Sequence, residues 1–442
     1  MLVPHSGCEE RVNKDMYEEY REVRQHLALD KDELLQIDAN SAEQPCSRFG
    51  LHPQLPTLQN LYNEESAIFM ANVGSSMAIY DNRLYGHEQM QTVCKQLDTG
   101  RNTTGTGVLG RLTDILAKNG VATGAVSINY ISETLQGESN ANTMVVSEKN
   151  IEQFAPKPST DTFVPAIETL NGASSWRSSV FAETWSTVLR GSIDQNAVAY
   201  RSLESAEVLV EFPGSSIGKQ LQTIARLISS RKCRGVERDV FYVSQGGYDH
   251  HYNVNRGLKK NFIDLDEALA AFVSELKEQD DFDDVVVVSS SEFGRTIIPD
   301  SRGGSDHGWG GHAFLFGGSV KGGQILGQYP SDISEDSPLN LGRGRMMPTM
   351  GWESVWAGVA TWFGLSDEAL EEALPFSKYL DSTGTVSDKF YSEDDLFVTS
   401  DDANDECTEE ELAAMCGLEE EEKKSNAQRV RRASALTKGD LH

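Results

Sequence analysis

The chain has 442 residues, 38% of them hydrophobic, enough for one large or two to three ordinary domains with a substantial core. Its 39 Lys and Arg against 68 Asp and Glu leave a formal charge of −29 at pH 7, which repels nucleic-acid phosphates and anionic lipid and argues against nucleic acid as a partner. No stretch approaches about 18 consecutive apolar residues and the start, Met1-Leu2-Val3-Pro4-His5, lacks the basic and apolar segments of an export signal, so a soluble chain with no membrane span is expected.

Taken in chain order, the N-terminal half predicts helices near Asp15 to Leu27 and Pro53 to Tyr62, and strands at Ala67 to Val73 and near Ala122 to Ile128. This alternation suggests an α/β fold. Six cysteines include no Cys-x-x-Cys and no zinc-module spacing; their even number permits disulfides, with Cys8 and Cys46 as an N-terminal pair. Asn102-Thr103-Thr104 is a potential glycosylation sequon. Gly105-x-Gly107-x-x-Gly110 spells a dinucleotide fingerprint, but the polar stretch before it is not a strand, and the reading is a loop leading into a helix at Arg111 to Leu116. Residues 155 to 210 are expected to form an inserted cap. Gly214 to Gln220 falls one residue short of a phosphate-binding loop, and no Gly-x-Ser-x-Gly elbow surrounds Ser75.

The region from about Glu211 is the most readable. A Ser-capped helix with Leu221, Ile224, Ala225 and Ile228 at helical spacing is followed by a buried strand, Asp239 to Ser244. Leu258, Phe262, Leu265, Leu269, Phe272, Val273 and Leu276 then recur with a 3.6 period, and Asp284 to Ser289 is a continuous β-branched strand. Strand, helix, strand predicts a right-handed βαβ unit with its two strands parallel. At their carboxyl ends, where parallel sheets hold ligands, stand Tyr248-Asp249-His250-His251 and Ser290-Ser291-Glu292-Phe293-Gly294-Arg295. A third cluster, Arg302 to His312, contains Asp306 and His307 and precedes a strand from His312 to Phe316.

Asp, Glu and His gathered from three loops are the ligand types of a divalent ion. The competing reading of each residue is structural: Asp306 and His307 turning a Gly-rich loop, and Glu292 pairing with Arg295 or Arg302. All three clusters at adjacent strand ends favour a metal or catalytic site. Gly351 to Phe363 reads as a packing helix carrying Trp352, Trp356 and Trp362. Residues 392 to 422 hold 14 carboxylates without Lys or Arg, and residues 423 to 442 hold six basic residues and one Asp. The expected organisation is one domain over 1–385 and a disordered tail over 386–442, with Arg431-Arg432-Ala433-Ser434 matching a basophilic-kinase pattern.

The segments Val243 to His251, Ser291 to Thr296, Gly304 to His312, Gly317 to Gly323 and Gly342 to Pro348 resemble a domain-of-unknown-function family grouped with the alkaline phosphatase and sulfatase clan. The resemblance covers the chain to about Leu380. It implies a three-layer α/β/α sandwich with a mainly parallel sheet, one or two divalent metals, and hydrolysis or transfer of phosphate or sulfate esters. Carried over by residue, Asp249, His251, Glu292, Asp306, His307 and His312 would hold the metal, with His250 equally near, and the ion would be Mn, Zn, Mg or Ca. Arg295 or Arg302 would stabilise charge on the ester, and His87 is a further catalytic candidate.

Two departures accompany the resemblance. The family's first strand, ending Gly-Gly-x-Asp, has no counterpart before Met1, so an N-terminally incomplete chain is expected, and relatives are often exported. In Leu84-Tyr85-Gly86-His87, Gly86 stands where relatives carry Ser. The expected function is therefore metal-dependent hydrolysis of small-molecule or polymer esters, the second reading being a non-catalytic metal- or ligand-binding relative.

Overall fold

A computed structural model describes residues 2–9, 15–75, 84–97, 105–138, 143–148, 162–163, 165–166, 169, 180–375 and 390–398. In chain order the elements are β1 (Leu2–Cys8), α1 (Met16–Arg24), β2 (Leu35–Asp38), β3 (Cys46–Leu51), α2 (Pro56–Asn63), β4 (Ala67–Gly74), α3 (His87–Gln96), α4 (Val108–Lys118), β5 (Thr123–Ile128) and β6 (Thr143–Val146). They continue with α5 (Val180–Ser205), α6 (Ser216–Ser229), α7 (Arg231–Arg234), β7 (Arg238–Tyr242), α8 (Val254–Glu278), β8 (Val287–Val288), β9 (Gly311–Phe316), β10 (Gln324–Leu326), β11 (Met350–Gly351), α9 (Trp352–Trp362), α10 (Asp367–Ala373) and α11 (Glu393–Leu396). No helix among the described residues is long and apolar enough to cross a membrane.

The α/β alternation of the sequence is present, but the strands form three sheets instead of one mainly parallel sheet. The first is antiparallel, ordered β1-β3-β2, and Cys8 and Cys46 are joined by a disulfide across it. The second is ordered β10-β4-β9-β8, with β11 also on β4. Here β10 and β11 run parallel to β4, while β4 to β9 and β9 to β8 are antiparallel. The third, β6-β5-β7, is wholly parallel.

The predicted βαβ unit is thus corrected. Its helix is present as α8, but β7 pairs with β5 and β8 with β9, in different sheets. The physical reason lies in the chain after β8. Between Ser289 and Gly310 there is no helix to cross a sheet face, so the chain doubles back and pairs antiparallel, as a connection without a crossover must.

All eight residues of β4 are buried, in keeping with its apolar run Ala67 to Ala71, because the strand is covered on both faces, and the one polar side chain, Asn72, donates to Met347 O at 2.8 Å. Helix α8 buries Phe262, Leu269, Phe272 and Leu276, the face predicted from its period. Its two buried carboxylates act as caps for other segments. Asp266 accepts from the Thr57 backbone N–H and hydroxyl, both at 2.9 Å, in the first turn of α2. Glu275 accepts from the backbone N–H groups of Leu209, at 2.9 Å, and Val210, at 2.7 Å. These bonds supply partners to backbone donors that a helix or loop start leaves open.

Within the expected cap, the described part is chiefly α5, which packs on α6 and α7; the sequon and the Arg431–Ser434 pattern lie outside the described residues. Helix α9 packs as predicted, with Trp352 and Trp356 buried and Trp362 stacked on Phe397. That contact moves the expected tail boundary. Tyr391, Leu396 and Phe397 are buried, Ser392 caps α11 through a reciprocal bond with Asp395, and the Val398 N–H donates to Ser319 O at 2.8 Å. Residues 390–398 belong to the folded domain because three apolar side chains among the carboxylates find a groove beside α9.

His52 is buried against the Phe262 ring at 4.9 Å, and burial, with lesser help from nearby positive charge, pulls its pKa down to about 4. The unfolded chain takes up this proton near pH 6.5 while the folded chain does not, so stability present above pH 6.5 is lost as pH falls towards 4, by about 1.4 kcal/mol per pH unit. His52→Asn, which keeps an acceptor for the Gln54 N–H, is expected to flatten the fall of the urea midpoint between pH 6.5 and 5.

Candidate metal centre

The centre forms where three loops and the start of α3 meet. After β7 the chain carries Asp249 and His251 into α8; after β8 it carries Glu292 and Arg295; the returning loop then brings Asp306 and His307 alongside. Backbone pairing fixes the last two loops against each other. Arg295 and His307 form an isolated antiparallel bridge, Gly294 N–H donates to Trp309 O and Gly308 N–H to Gly294 O, both at 2.8 Å, and Thr296 N–H donates to Asp306 O at 2.9 Å. Gly294 is required by this approach, since a Cβ there would lie 2.6 Å from the Gly310 carbonyl carbon. The first loop is tied in by Ser305 N–H donating to His250 O at 3.0 Å.

Asp249 stands at the middle. Its Oδ1 lies 3.0 Å from His251 Nε2 and 3.2 Å from His307 Nε2, its Oδ2 lies 3.4 Å from His87 Nε2, and Arg295 Nη1 is bonded to Oδ1. His251 Nε2 and His307 Nε2 are 3.2 Å apart. Partial burial would raise the Asp249 pKa, but Arg295, His251 and His307 hold it down to about 2. The same opposition acts on Asp306. Burial raises its pKa, while the His307 backbone N–H, Arg343 and Arg345 bring it below the usual carboxylate range.

The tautomers of two histidines follow from their outer partners. His307 Nδ1 is 2.7 Å from Tyr85 O, a carbonyl that only accepts, so Nδ1 carries the proton and Nε2 of the neutral ring is a lone pair. His87 Nδ1 is 2.7 Å from Glu292 Oε1, which leaves His87 Nε2 in the same state. Both lone pairs face the Asp249 carboxylate. This is repulsive unless each ring takes a second proton or a cation sits among them, and a single cation relieves both contacts at once. Donor separations of 3.0 and 3.2 Å match ligands at about 2.0–2.1 Å around one ion, which are about 2.9–3.4 Å apart.

Two groups of donor atoms lie within 4.8 Å of one another, His87 with Asp249 and His307, and His251 with Asp306 and His307. Of the residues read from sequence, the structure thus brings together His87, Asp249, His251, Asp306 and His307, with Arg295 beside them. Glu292 stands behind His87 as its acceptor, outside both groups, and also takes the Ser291 hydroxyl at 3.1 Å. Burial raises its pKa, yet the bond from His87 brings it below the usual value. His312 is elsewhere. It lies on β9, stacked on Tyr329, its Nδ1 accepts from Asn72 N–H at 3.3 Å, and burial holds it neutral. His250 faces Gly257 of α8. The side of the centre formed by His87, Asp249, Glu292 and Arg295 lines a cavity that runs between β7 and β8.

Sequence reasoning assigned no role to Arg343 and Arg345. Arg345 donates to His307 O at 2.9 Å and to Asp306 Oδ2 at 3.2 Å, and its guanidinium lies 4.1 Å from the Tyr85 ring centre. Arg343 reaches the same Oδ2 at 2.8 Å with its side chain 64% exposed. Its φ is 61°, between Gly342 at 92° and Gly344 at 75°. Holding a side chain in that left-handed region costs about 1–2 kcal/mol, which an exposed ion pair of about 0–1 kcal/mol does not offset. The Gly-Arg-Gly-Arg run was the one available signal.

Residues 33–340 match the family model described as Protein of unknown function (DUF1501). The chain belongs to this family. No curated protein and no solved structure matches it. The DUF1501 match spans β2 through the loop carrying Asn340, and so takes in every residue of both donor groups.

Proposed function

We propose that this chain is a metal-dependent hydrolase of phosphate or sulfate esters with the three-layer arrangement of the alkaline phosphatase and sulfatase clan, and that His87, Asp249, His251, Asp306 and His307 hold the ion. The observation that carries this reading is the convergence of the His87 and His307 lone pairs on the Asp249 carboxylate. Three imidazoles favour Zn over Mg or Ca, which prefer oxygen, and the Asp249 and Asp306 carboxylates beside them also admit Mn. When bound, such an ion supplies Lewis-acid polarisation of the ester.

The chain's own groups divide the remaining work. Arg295 is fixed by its bonds to Ser305 and directs Nη1 to the Asp249 side of the cavity, where it can take negative charge that develops on the ester oxygens. His87, with its Nδ1 proton on Glu292, is held in the one tautomer whose Nε2 lone pair can serve the ion, the role of an oriented imidazole. Water is the nucleophile in this scheme because Gly86 offers no hydroxyl.

After removal of metal and dialysis, the protein is expected to take up Zn or Mn near-stoichiometrically by elemental analysis, and the loaded protein to hydrolyse aryl phosphates or aryl sulfates. Absence of uptake on titration would overturn the assignment. Gly86 supports a second reading as a non-catalytic metal-binding relative; full uptake with no turnover on either ester class would select it.

A further inference from the structure

The geometry points to Arg343 as a specificity-determining residue that recognises a second anionic group on the unreacting part of the substrate. This rests on the ester-hydrolase reading and names the class within it: phosphate or sulfate esters whose leaving portion carries another negative charge. The centre lies between two cavities. His87, Asp249, Glu292 and Arg295 face the first, whereas Asp306 and Arg343 line the second, together with Thr296, Asp300, Glu335 and Asn340.

Arg343 is the one cation among the residues lining that second cavity. Asp300 spends its carboxylate on the backbone N–H groups of Arg302, at 2.8 Å, and Gly304, at 2.9 Å. Asn340 Oδ1 is likewise committed, accepting from Gly342 and Gly344 N–H at 2.9 and 3.1 Å. Those bonds hold the loop, and Ile297 N–H donating to Gly344 O at 2.9 Å anchors it. A rigid loop therefore presents an exposed guanidinium in a conformation that glycine would adopt more easily.

The position has no structural need for a second guanidinium. Asp306 is already held by Arg345 and by the His307 N–H at 2.9 Å. A planar guanidinium retains donors in pairs suited to carboxylate, phosphate or sulfate. In a chain of charge −29, and in a cavity that also holds the carboxylates of Asp300, Asp306 and Glu335, Arg343 is the one lining group that attracts an anion.

The test is calorimetric binding of two non-hydrolysable probes, phenylphosphonate and its ring-carboxylated analogue, to the metal-titrated full-length protein, with metal content measured in parallel. The carboxylate is expected to tighten binding to the unsubstituted protein by about tenfold. With metal held saturating, because Arg343 also pairs with Asp306 and its loss is expected to weaken metal affinity, Arg343→Ala should abolish that increment while phenylphosphonate still binds, and Arg343→Lys should restore part of it. No increment in the unsubstituted protein, or one that survives Arg343→Ala, overturns the proposal. Metal uptake and phenylphosphonate binding report separately on the hydrolase reading: if both are absent that reading fails, whereas their presence without the increment removes only the role of Arg343.

Discussion

Asp249→Asn is expected to lower metal affinity at least about a hundredfold and to reduce ester hydrolysis by about a thousandfold, while the protein remains folded. The size follows from the position of Asp249 Oδ1, on which His251, His307 and Arg295 all converge. Asparagine keeps the shape and one oxygen but removes the negative charge, and loss of outer hydrogen-bond partners already costs 10–100-fold in metal affinity. Folding should persist because the Asp249 side chain is 44% exposed and lies in a loop after β7. The freed Arg295 stays held by Ser305, so the anion side of the cavity is retained. Elemental analysis of the dialysed variant decides the matter, and full metal content with undiminished turnover would remove Asp249 from the centre.

Gly294→Ala is expected to destabilise the domain by about 2–4 kcal/mol and to disorganise the centre at the same time. The new methyl group meets backbone, with the Gly310 carbonyl carbon at 2.6 Å and Gly311 Cα at 2.7 Å, and backbone cannot rotate aside as a side chain can. Relief requires the Glu292–Arg295 segment to part from the Asp306–Trp309 segment, which breaks the Gly294 to Trp309 and Gly308 to Gly294 bonds. The midpoint of urea unfolding and metal uptake should therefore fall together. A variant of unchanged stability with normal metal content would show that the two segments do not need this contact.

The sequence made the elements around the centre visible because their periods are strong. The 3.6 repeat of α8, the apolar run Ala67 to Ala71 of β4 and the three loops rich in Asp, Glu and His each announce themselves locally. Sheet partition was hidden, since β8 is only two residues long and its pairing depends on how the chain returns from Ser289 to Gly310. His312 lies outside both donor groups, and a signal for that existed. A strand alternates faces, so His312 shares a side with Phe314 and Phe316, both buried in the core. Glu292 was placed in the centre by residue type, its strand-end position and the family resemblance; none of these shows that it faces His87 Nδ1 and not the donor groups. The docking of Tyr391, Leu396 and Phe397 was masked by the average composition of an acidic stretch.

Where that last segment docks has an electrostatic consequence. Val320 pairs with Phe397 just beyond the Phe316 end of β9, whereas the candidate centre adjoins the Gly311 end. The six-residue strand spans about 17 Å between its end residues. The carboxylates of Glu393, Asp394 and Asp395, held in α11 beyond the far end, therefore act across about two Debye lengths at physiological salt, where that length is about 8 Å, but within one at 0.01 M, where it is about 30 Å. Their repulsion of an approaching anion is silent in the first condition and felt in the second, so encounter with an anionic ester should quicken, not slow, as salt is first added.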